Sequence, residues 1–288
     1  MLLVAAVVIA VILFCVWQNG YITVTHREYK SPRVPQALDG FTIVHVSDLH
    51  NRRLRGFSQR LTALIRKESP DIIAITGDLI DRKSTDIDAA MEFIRPAAAI
   101  APVYFVSGNH EPRSGQYEAL LPRLHKAGVC VLDDTYAVIA KNGQRFIIAG
   151  LKDPAFYNDS SGRAEKTILS ERRQALQRLN AMEGASDMPP LFLLLSHRPE
   201  LFSMYVECGV HLVLTGHAHG GQVRLPGVGG LFAPGQGVFP RYTSGVHRRG
   251  DTAMVVSRGL GGRFCRLRMF NRPEVVVVKL AHQSPLSS

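Results

Sequence analysis

Two histidines stand one residue apart in the segment TGHAHGGQ, residues 215–222, directly after an apolar run. The run Leu212–Leu214 predicts a strand, because a short apolar stretch closed by a glycine is typical of a buried strand and the turn that ends it. Side chains two positions apart in extended backbone project to the same side, so His217 and His219 can face one point in space. Because imidazole is a common metal ligand, the pair predicts part of a metal site.

Four other apolar runs end in residue types that can bind a metal. These are Asp48 and His50 after FTIVHVS, Asp78 after DIIAITG, Asn109 and His110 after VYFVSG, and His197 after LFLLLS. Taken singly, such an aspartate is explained by a helix cap or an Asx turn, and such a histidine by an ordinary surface or core position. Sites in open α/β sheets form at the carboxyl ends of strands, so five such endings together favour one shared site.

The order of these motifs resembles that of the calcineurin-like metallophosphoesterases, over about residues 41–281. The residues that carry the resemblance are Asp48-x-His50, Gly77-Asp78, Gly108-Asn109-His110-Glu111, Ser196-His197 and Gly216-His217-x-His219. The sequences around these motifs, such as SDLHN, ITGDLID and GHAHGGQVRLP, are most similar to those of the membrane-anchored bacterial branch, which includes a UDP-2,3-diacylglucosamine pyrophosphatase. One departure is Lys152, where relatives often carry a second acidic residue, and this leaves the role of that position open.

The resemblance implies a fold and a metal content. The fold is an α/β metallophosphoesterase-type four-layer α-β-β-α sandwich of two mixed sheets. The cofactors are two divalent metal ions, for which the Asp, His and Asn set suits Mn, Fe or Zn better than Ca. The implied ligands are Asp48, His50, Asp78 and His219 for the first ion, and Asp78, Asn109, His197 and His217 for the second, with Asp78 as the bridge.

The implied chemistry is hydrolysis of a phosphodiester or pyrophosphate bond. The negative charge of a phosphoester repels hydroxide, and a pair of cations both neutralises that charge and activates a water molecule. By the same resemblance His110 is the catalytic residue, placed to stabilise the transition state or to protonate the leaving oxygen, and Glu111 is expected to orient or charge it.

The elements that must position these residues alternate along the first half of the chain. Strand-like runs alternate with helical spacing at 57–67, 86–99 and 116–127, which predicts a largely parallel α/β half. In the second half Asn142-Gly143 predicts a tight hairpin, and residues 163–183 predict a helix. The runs LFLLLS and HLVLT predict strands buried on both faces. The last runs, MVVS, RLRMF and EVVVVKL, predict successive antiparallel strands.

The chain begins with an unbroken apolar segment. Residues 1–17 carry no charged side chain, and this length is about the minimum for a membrane span. A signal peptide and a buried N-terminal element are the alternatives, but the segment lacks the basic start and the small-x-small cleavage site of a signal peptide. We therefore expect a transmembrane anchor over 1–19, a linker over 20–39 and one metallophosphoesterase domain over 40–282.

Charge distribution predicts the topology and the partners. The first charges after the apolar segment are mostly Lys and Arg, which favours an inner (cytoplasmic) membrane protein whose catalytic domain faces the cytoplasm. The four cysteines are scattered, with no spacing typical of a zinc or disulfide framework. The net charge is +10, and residues 220–272 contain nine arginines against Asp251 alone. This excess predicts an anionic partner, either a phosphorylated substrate or an anionic membrane leaflet.

Three functional classes compete for this sequence. The intact set of ligand types and His110 favours a two-metal enzyme over a non-catalytic metal-binding module on the same fold. A nuclease is disfavoured by the apolar N-terminus and by the lack of a DNA-reading motif, so no nucleic-acid partner is expected. The uncharged segment LPGVGGLFAPGQGVFP, residues 225–240, is expected to border the metal pocket. It favours a phosphorylated, amphiphilic substrate such as UDP-2,3-diacylglucosamine over the soluble substrates of a general phosphodiesterase or phosphatase.

Overall fold

The structure is a computed structural model that describes residues 1–53, 56–157, 163–182, 191–262 and 268–284. Its strands are β1 (Thr23–Ser31), β2 (Thr42–Val46), β3 (Ile72–Thr76), β4 (Val103–Val106), β5 (Cys130–Val131), β6 (Tyr136–Lys141), β7 (Gln144–Gly150), β8 (Phe192–Leu195), β9 (Leu212–Thr215), β10 (Arg224–Leu225), β11 (Gly229–Gly230), β12 (Phe232–Ala233), β13 (Gly237–Val238), β14 (Gly245–Arg249), β15 (Thr252–Val256) and β16 (Glu274–His282). Its α-helices are α1 (Leu2–Gly20), α2 (Phe57–Lys67), α3 (Ile87–Ala98), α4 (His110–Arg113), α5 (Tyr117–Lys126), α6 (Arg163–Met182) and α7 (Phe202–Glu207).

Most of the strands form two six-stranded mixed sheets. The first sheet has the order β1-β16-β2-β3-β4-β5, in which β2 to β5 are parallel and β16 is antiparallel to β2. The second sheet has the order β14-β15-β9-β8-β7-β6, in which β15, β9, β8 and β7 are parallel and each edge strand is antiparallel to its neighbour. The carboxyl ends of β2, β3, β4, β8 and β9 carry the predicted site residues.

The central strands are apolar without alternation because both faces of each sheet are covered. In β3, Ile73 and Ile75 pack with the helices α2, α3 and α5, whereas Ile72 and Ala74 pack between the two sheets. The second sheet repeats this arrangement, with Leu193 of β8 between the sheets and the other face packed against α6 and α7. Successive side chains of a strand point to opposite faces, so a continuous apolar run fills two cores. The expected four-layer α-β-β-α sandwich is confirmed.

The predicted hairpin is confirmed as β6 and β7. Asn142 and Gly143 have φ values of 53° and 77°, which are the left-handed conformations that a two-residue type I′ loop requires. The helices predicted at 57–67, 86–99 and 116–127 are α2, α3 and α5, and each begins and ends within one residue of its predicted limits. Local sequence therefore determined these elements.

The prediction of successive antiparallel strands near the C-terminus is wrong. MVVS lies largely in β15, which is parallel to β9 in the second sheet, and EVVVVKL lies in β16 of the first sheet. Of RLRMF, residues 266 and 267 lie outside the described residues, and Met269 forms only an isolated bridge with Val223. Apolar runs identify strands, but they do not specify the sheet that each strand joins.

The segment expected to be a linker contains a strand. β1 pairs with β16 in parallel register from Thr23↔Glu274 to Ser31↔His282. It is an edge strand whose sequence, TVTHREYKS, is polar because most of its side chains are exposed or half-buried, with Tyr29 the buried exception. A polar edge strand lacks the apolar pattern by which strands are recognised, which explains the error.

Helix α1 extends the predicted apolar segment to 19 residues and is long and apolar enough to cross a membrane. A signal sequence passes the same test of length and composition. Only Cys15 and Gln18 of this helix are buried. Its C-terminal part contacts the domain, with the Phe14 ring 5.2 Å from that of Phe270 and the Arg272 guanidinium 4.3 Å from the centre of the Trp17 ring.

Candidate metal centre

The carboxyl ends of both sheets meet at one buried cluster. Strands β2, β3 and β4 of the first sheet and β8 and β9 of the second end beside it. The cluster contains the eight predicted site residues, each no more than 6% exposed: Asp48, His50, Asp78, Asn109, His110, His197, His217 and His219. Charged and polar side chains are seldom buried in such number without paired partners or a metal ion.

A first group of four side chains could hold one metal ion. Asp48, His50, Asp78 and His219 each offer a ligand atom, and these atoms all lie within 4.8 Å of one another. His50 Nε2 lies 3.3 Å from His219 Nε2 and 3.5 Å from Asp78 Oδ2, and His219 Nε2 lies 3.4 Å from Asp48 Oδ1. Two imidazole nitrogens and two carboxylate oxygens thus converge on one small volume.

A second group could hold another ion and shares a residue with the first. It consists of Asp78, His197 and His217. His197 Nε2 lies 3.3 Å from Asp78 Oδ2 and 3.0 Å from His217 Nδ1. Because Asp78 Oδ2 is close to ligand atoms of both groups, this carboxylate has the position of a bridge.

Asn109 fits the second group as a neutral oxygen ligand. Its side chain is buried, and neither Oδ1 nor Nδ2 has a hydrogen-bond partner among the described residues. Leaving a buried polar group unsatisfied costs about 1–3 kcal/mol. The amide is therefore poorly explained by packing and well explained by a cation that Oδ1 could bind.

The chemistry of the surrounding groups favours positive charge in the cluster. His197 Nδ1 donates to the backbone oxygen of Thr76 at 2.7 Å, which leaves Nε2 facing Asp78. Burial opposes protonation of His197, but the Asp78 carboxylate outweighs it and raises the pKa to about 10. Burial likewise opposes ionisation of Asp78, but the positive charge of His197 and its hydrogen bond bring the pKa of Asp78 well below the ordinary value. A metal cation would neutralise the Asp78 carboxylate in place of the imidazolium proton of His197.

Most of the clustered residues have a strained backbone. Positive φ values between 48° and 65° occur at Asp48, His50, Asp78, His217 and His219. A residue other than glycine in this region costs on the order of 1 kcal/mol or more, and such strain concentrates at functional sites. Gly216 has no such angle but is required sterically, because a Cβ there would overlap Ser47 Oγ and Asp48 Oδ2.

His110 lies beside both groups, at the start of the short helix α4. Its Nε2 is 3.9 Å from Asp78 Oδ2, and its Nδ1 accepts a hydrogen bond from the backbone N–H of Arg82 at 3.2 Å. The Asp81 carboxylate lies 3.5 Å from Nδ1. A neutral ring that accepts through Nδ1 carries its proton on Nε2, the nitrogen nearer to Asp78.

Glu111 has a different position from the one we expected. Its carboxylate accepts hydrogen bonds from the backbone N–H groups of Asp78, Leu79, Ile80 and Gly108 at 2.7–3.2 Å. Burial and the nearby Asp78 charge raise the pKa of Glu111 to about 7, while the donated hydrogen bonds act in the opposite direction. Glu111 therefore holds together the turns that follow β3 and β4, and so positions Asp78 and Asn109.

Glu111→Gln should destabilise the protein by about 2–4 kcal/mol, because one carboxylate oxygen is replaced by an NH₂ group that faces backbone donors inside the core. Urea unfolding of the metal-free protein measures this effect. The control is Glu118→Gln, a change at an exposed position on α5. Equal unfolding midpoints for the two variants would contradict the assigned role.

Sequence reasoning missed the ion pairs around the second group. Arg198 binds Asp153 through two hydrogen bonds of 2.6 and 2.8 Å, and its Nη1 lies 3.2 Å from His217 Nε2. Arg198 directly follows His197 in the motif SHRPE, which was the available signal. Lys152 places its ammonium 4.2 Å from the centre of the Phe156 ring. The neighbouring Asp153 directs its carboxylate to Arg198, beside the second group.

The uncharged segment after the two histidines forms the hairpins β10–β11 and β12–β13. It runs directly against the turn His219–Gly221, since the backbone N–H of Leu231 donates to the oxygen of Gly221 at 3.2 Å. The side chain of Asn271 closes the other side of this turn by donating to the oxygen of His219 at 2.7 Å. These contacts place the segment beside the cluster, as expected.

Comparison with known proteins gives relatives of this chain. The model of the calcineurin-like phosphoesterase family matches residues 41–221. The chain is 32% identical to the uncharacterized metallophosphoesterase YkuE of Bacillus subtilis, covering 90% of this chain and 85% of that protein. It is 30% identical to the phosphodiesterase YaeI of Escherichia coli, covering 83% and 82%.

Two zebrafish proteins extend the comparison. A solved structure, a dimetal phosphatase from Danio rerio, is similar with a TM-score of 0.51 at 16% identity and covers 77% of this chain and 88% of its own, which supports the fold. A transmembrane protein with a metallophosphoesterase domain from Danio rerio is 25% identical over 86% of this chain and 55% of its own length.

Proposed function

Since this chain belongs to the calcineurin-like phosphoesterase family, we propose that it is a two-metal hydrolase of phosphodiester or pyrophosphate bonds. The observation that carries the proposal is the pair of buried ligand groups that share Asp78. Such a pair has the composition of a dinuclear site, and the similarity to a named phosphodiesterase supports the same reaction class.

Each side chain of the cluster receives a role in this proposal. Asp48, His50, Asp78 and His219 would hold the first ion, and Asp78, Asn109, His197 and His217 the second. Two divalent cations supply charge neutralisation and an activated water for attack on phosphorus. The nitrogen and oxygen donors suit Mn, Fe or Zn.

His110 would act on the substrate and not on the ions. Its Nδ1 accepts from the backbone of Arg82, so the proton on Nε2 is directed toward the region beside Asp78. A proton held there can stabilise charge on a phosphoryl oxygen or transfer to the leaving oxygen.

An amphiphilic substrate is the finer part of the proposal. The hairpins beside His219 expose apolar side chains, and arginines are frequent over residues 220–272. Helix α1 would anchor the protein in the cytoplasmic membrane with the domain on the cytoplasmic side. A phosphate head group could then enter the cluster while its acyl chains contact the hairpins, as in UDP-2,3-diacylglucosamine.

Hydrolysis of soluble phosphodiesters is the second candidate, and metal binding without turnover is the third. A panel of bis-p-nitrophenyl phosphate, nucleotide sugars and lipid phosphates, combined with metal analysis, separates them. Turnover that depends on two equivalents of metal supports the enzyme. Full metal content without turnover of any member of the panel would favour the binding module.

The acylated substrate should be preferred over its deacylated counterpart by at least about tenfold in kcat/KM, equivalent to roughly 1.4 kcal/mol of apolar contact. The double variant Phe232→Asp, Phe239→Asp should reduce this preference while hydrolysis of bis-p-nitrophenyl phosphate is retained. Equal kcat/KM for both compounds in both proteins would remove the lipid-linked substrate and leave a general phosphodiesterase.

A further inference from the structure

We propose that the two small hairpins after β9 form a membrane-docking surface that rests in the interfacial layer of a lipid bilayer, beside the point where α1 leaves it. We define the hairpin surface by its exposed apolar side chains: Leu225, Val228, Phe232, Val238, Phe239 and Phe270. The inference relies on the proposal that α1 is inserted in a membrane, and it does not depend on catalytic activity.

The exposure of these side chains is concentrated in one part of the molecule. Val238 and Phe239 are 67% and 68% exposed, and Phe270 is 48% exposed. Outside α1, most of the large exposed apolar side chains among the described residues belong to the hairpin surface. A concentration of exposed apolar side chains of this kind marks an interaction site, whereas isolated exposed apolar residues do not.

Backbone strain supports a function for two of these phenylalanines. Phe239 and Phe270 both have φ values of 51°. A bulky residue in this region is an outlier, because its Cβ approaches the backbone. The folded state therefore has two unfavourable features, a strained backbone and exposed apolar surface, at the same two positions. Burial of the rings in a bilayer would recover the cost of their exposure.

The hairpin surface is continuous with α1. The Phe14 ring of α1 lies 5.2 Å from the ring of Phe270. Met269 is bridged to Val223, and the backbone N–H of Arg224, the first residue of β10, donates to the oxygen of Met269 at 3.1 Å. Phe270 thus contacts the candidate span, and its neighbour Met269 is joined through the backbone to the start of the first hairpin.

Aromatic and basic side chains lie at the same boundary. The Arg272 guanidinium is 4.3 Å from the centre of the Trp17 ring and 5.9 Å from that of Tyr21. Tryptophan, tyrosine and arginine at the end of an apolar helix are typical of the layer between hydrocarbon and water. Residues 241–249, which follow the second hairpin in the chain, also expose Arg241, Arg248 and Arg249.

This charge distribution favours a bilayer over a second copy of the chain. A copy docked on the same surface would bring two arginine-rich segments together, with Asp251 as the only acidic residue between 220 and 272 on each. Anionic lipid head groups complement these arginines, and the acyl boundary complements the rings. The occupant we assign is therefore a bilayer that contains anionic phospholipid.

Quenching of tryptophan by brominated lipids tests this assignment in the full chain. The only tryptophan is Trp17, so Trp17→Phe provides a silent background. In that background, Phe239→Trp and Phe270→Trp report on the hairpin surface, and Leu13→Trp reports on insertion of α1. The proteins are reconstituted into vesicles of phosphatidylcholine and phosphatidylglycerol whose acyl chains are brominated near the head group.

Tyr136→Trp is the matched control. Tyr136 is an aromatic residue of similar exposure, 47%, and begins β6, which lies at the opposite edge of the second sheet from β14. The Arg248 guanidinium of β14 lies 5.7 Å from the centre of the Tyr29 ring of β1, so the β14 edge faces the strand that follows α1. Tyr136 is thus remote from the proposed docking side.

We expect the hairpin reporters to lose at least about twice as much emission as the Tyr136→Trp variant. Apolar side chains that dock at the interface are buried about 5–10 Å into the boundary between head groups and acyl chains, where the bromine atoms lie. If the Leu13→Trp variant is quenched while both hairpin reporters match the control, the docking surface is refuted and α1 insertion stands. Hairpin reporters with blue-shifted but unquenched emission would show that protein covers the surface, which also overturns the proposal. Absence of quenching at Leu13→Trp would overturn both the insertion of α1 and the docking that relies on it.

Discussion

Asp78→Asn is expected to remove both metal ions together and to lower kcat/KM for bis-p-nitrophenyl phosphate by at least about a thousandfold. The carboxylate lies within 3.5 Å of His50 Nε2 in one group and within 3.3 Å of His197 Nε2 in the other. An amide has no charge and only one strong acceptor atom, so it cannot bridge as a carboxylate does. Metal stabilisation of the transition state amounts to several kcal/mol, and each 1.4 kcal/mol is about tenfold in rate.

Metal analysis of the purified variant, in parallel with the assay, measures this prediction. The control is Asp71→Asn, because Asp71 directly precedes β3 whereas Asp78 follows its end, and it interacts with Thr42 and Lys141 away from the cluster. The control should keep both metals and most of the activity. An Asp78→Asn protein with a full complement of two ions would show that the carboxylate is not the bridge.

His110→Ala should keep both metals and lose activity by roughly 10²- to 10⁴-fold, the usual contribution of a positioned acid or base. The expected result follows from the position of His110, which lies beside Asp78 and presents Nε2 toward it at 3.9 Å. If His110 protonates the leaving oxygen, the loss should be smaller for a p-nitrophenol leaving group than for an alcohol leaving group. Comparison of kcat/KM for two phosphodiesters that differ in leaving group measures this difference.

His125→Ala is the control for the histidine substitution, since His125 is exposed on α5. It should match the wild-type protein in metal content and rate. A metal-free His110→Ala protein would mean that this residue holds an ion, and a fully active one would mean that it has no part in the reaction.

The positions of the candidate site were predictable because the signal is local. Each of the residues Asp48, Asp78, Asn109, His197 and His217 follows an apolar run, and the ends of parallel strands in a sheet meet at one edge. The structure brings them together as expected, and their roles as ligands stay predictions. The hairpin at Asn142-Gly143 was predictable for the same reason, since the turn residues themselves require its geometry.

Contacts between distant segments were not predictable in this way. Glu111 follows His110 in the chain, which suggested an effect on that ring, yet its carboxylate binds four backbone N–H groups of two turns. The partnership of Arg198 with Asp153 joins residues 45 positions apart. No periodicity marks such pairs, because they arise only after neighbouring strands of a sheet, β3 with β4 and β7 with β8, have paired.

The sequence by itself determined the helices of the first half, the apolar strands and the residue types at the strand ends, since these depend on local periodicity and turn chemistry. Only the tertiary structure decided that β15 and β16 join different sheets and that the polar segment β1 completes the first sheet beside β16. It also decided that Phe270 contacts α1, although it lies 256 positions after Phe14 in the chain. Hydrogen-bonding edges and apolar faces are generic, so their partners are selected by the packing of the whole chain and not by any one segment.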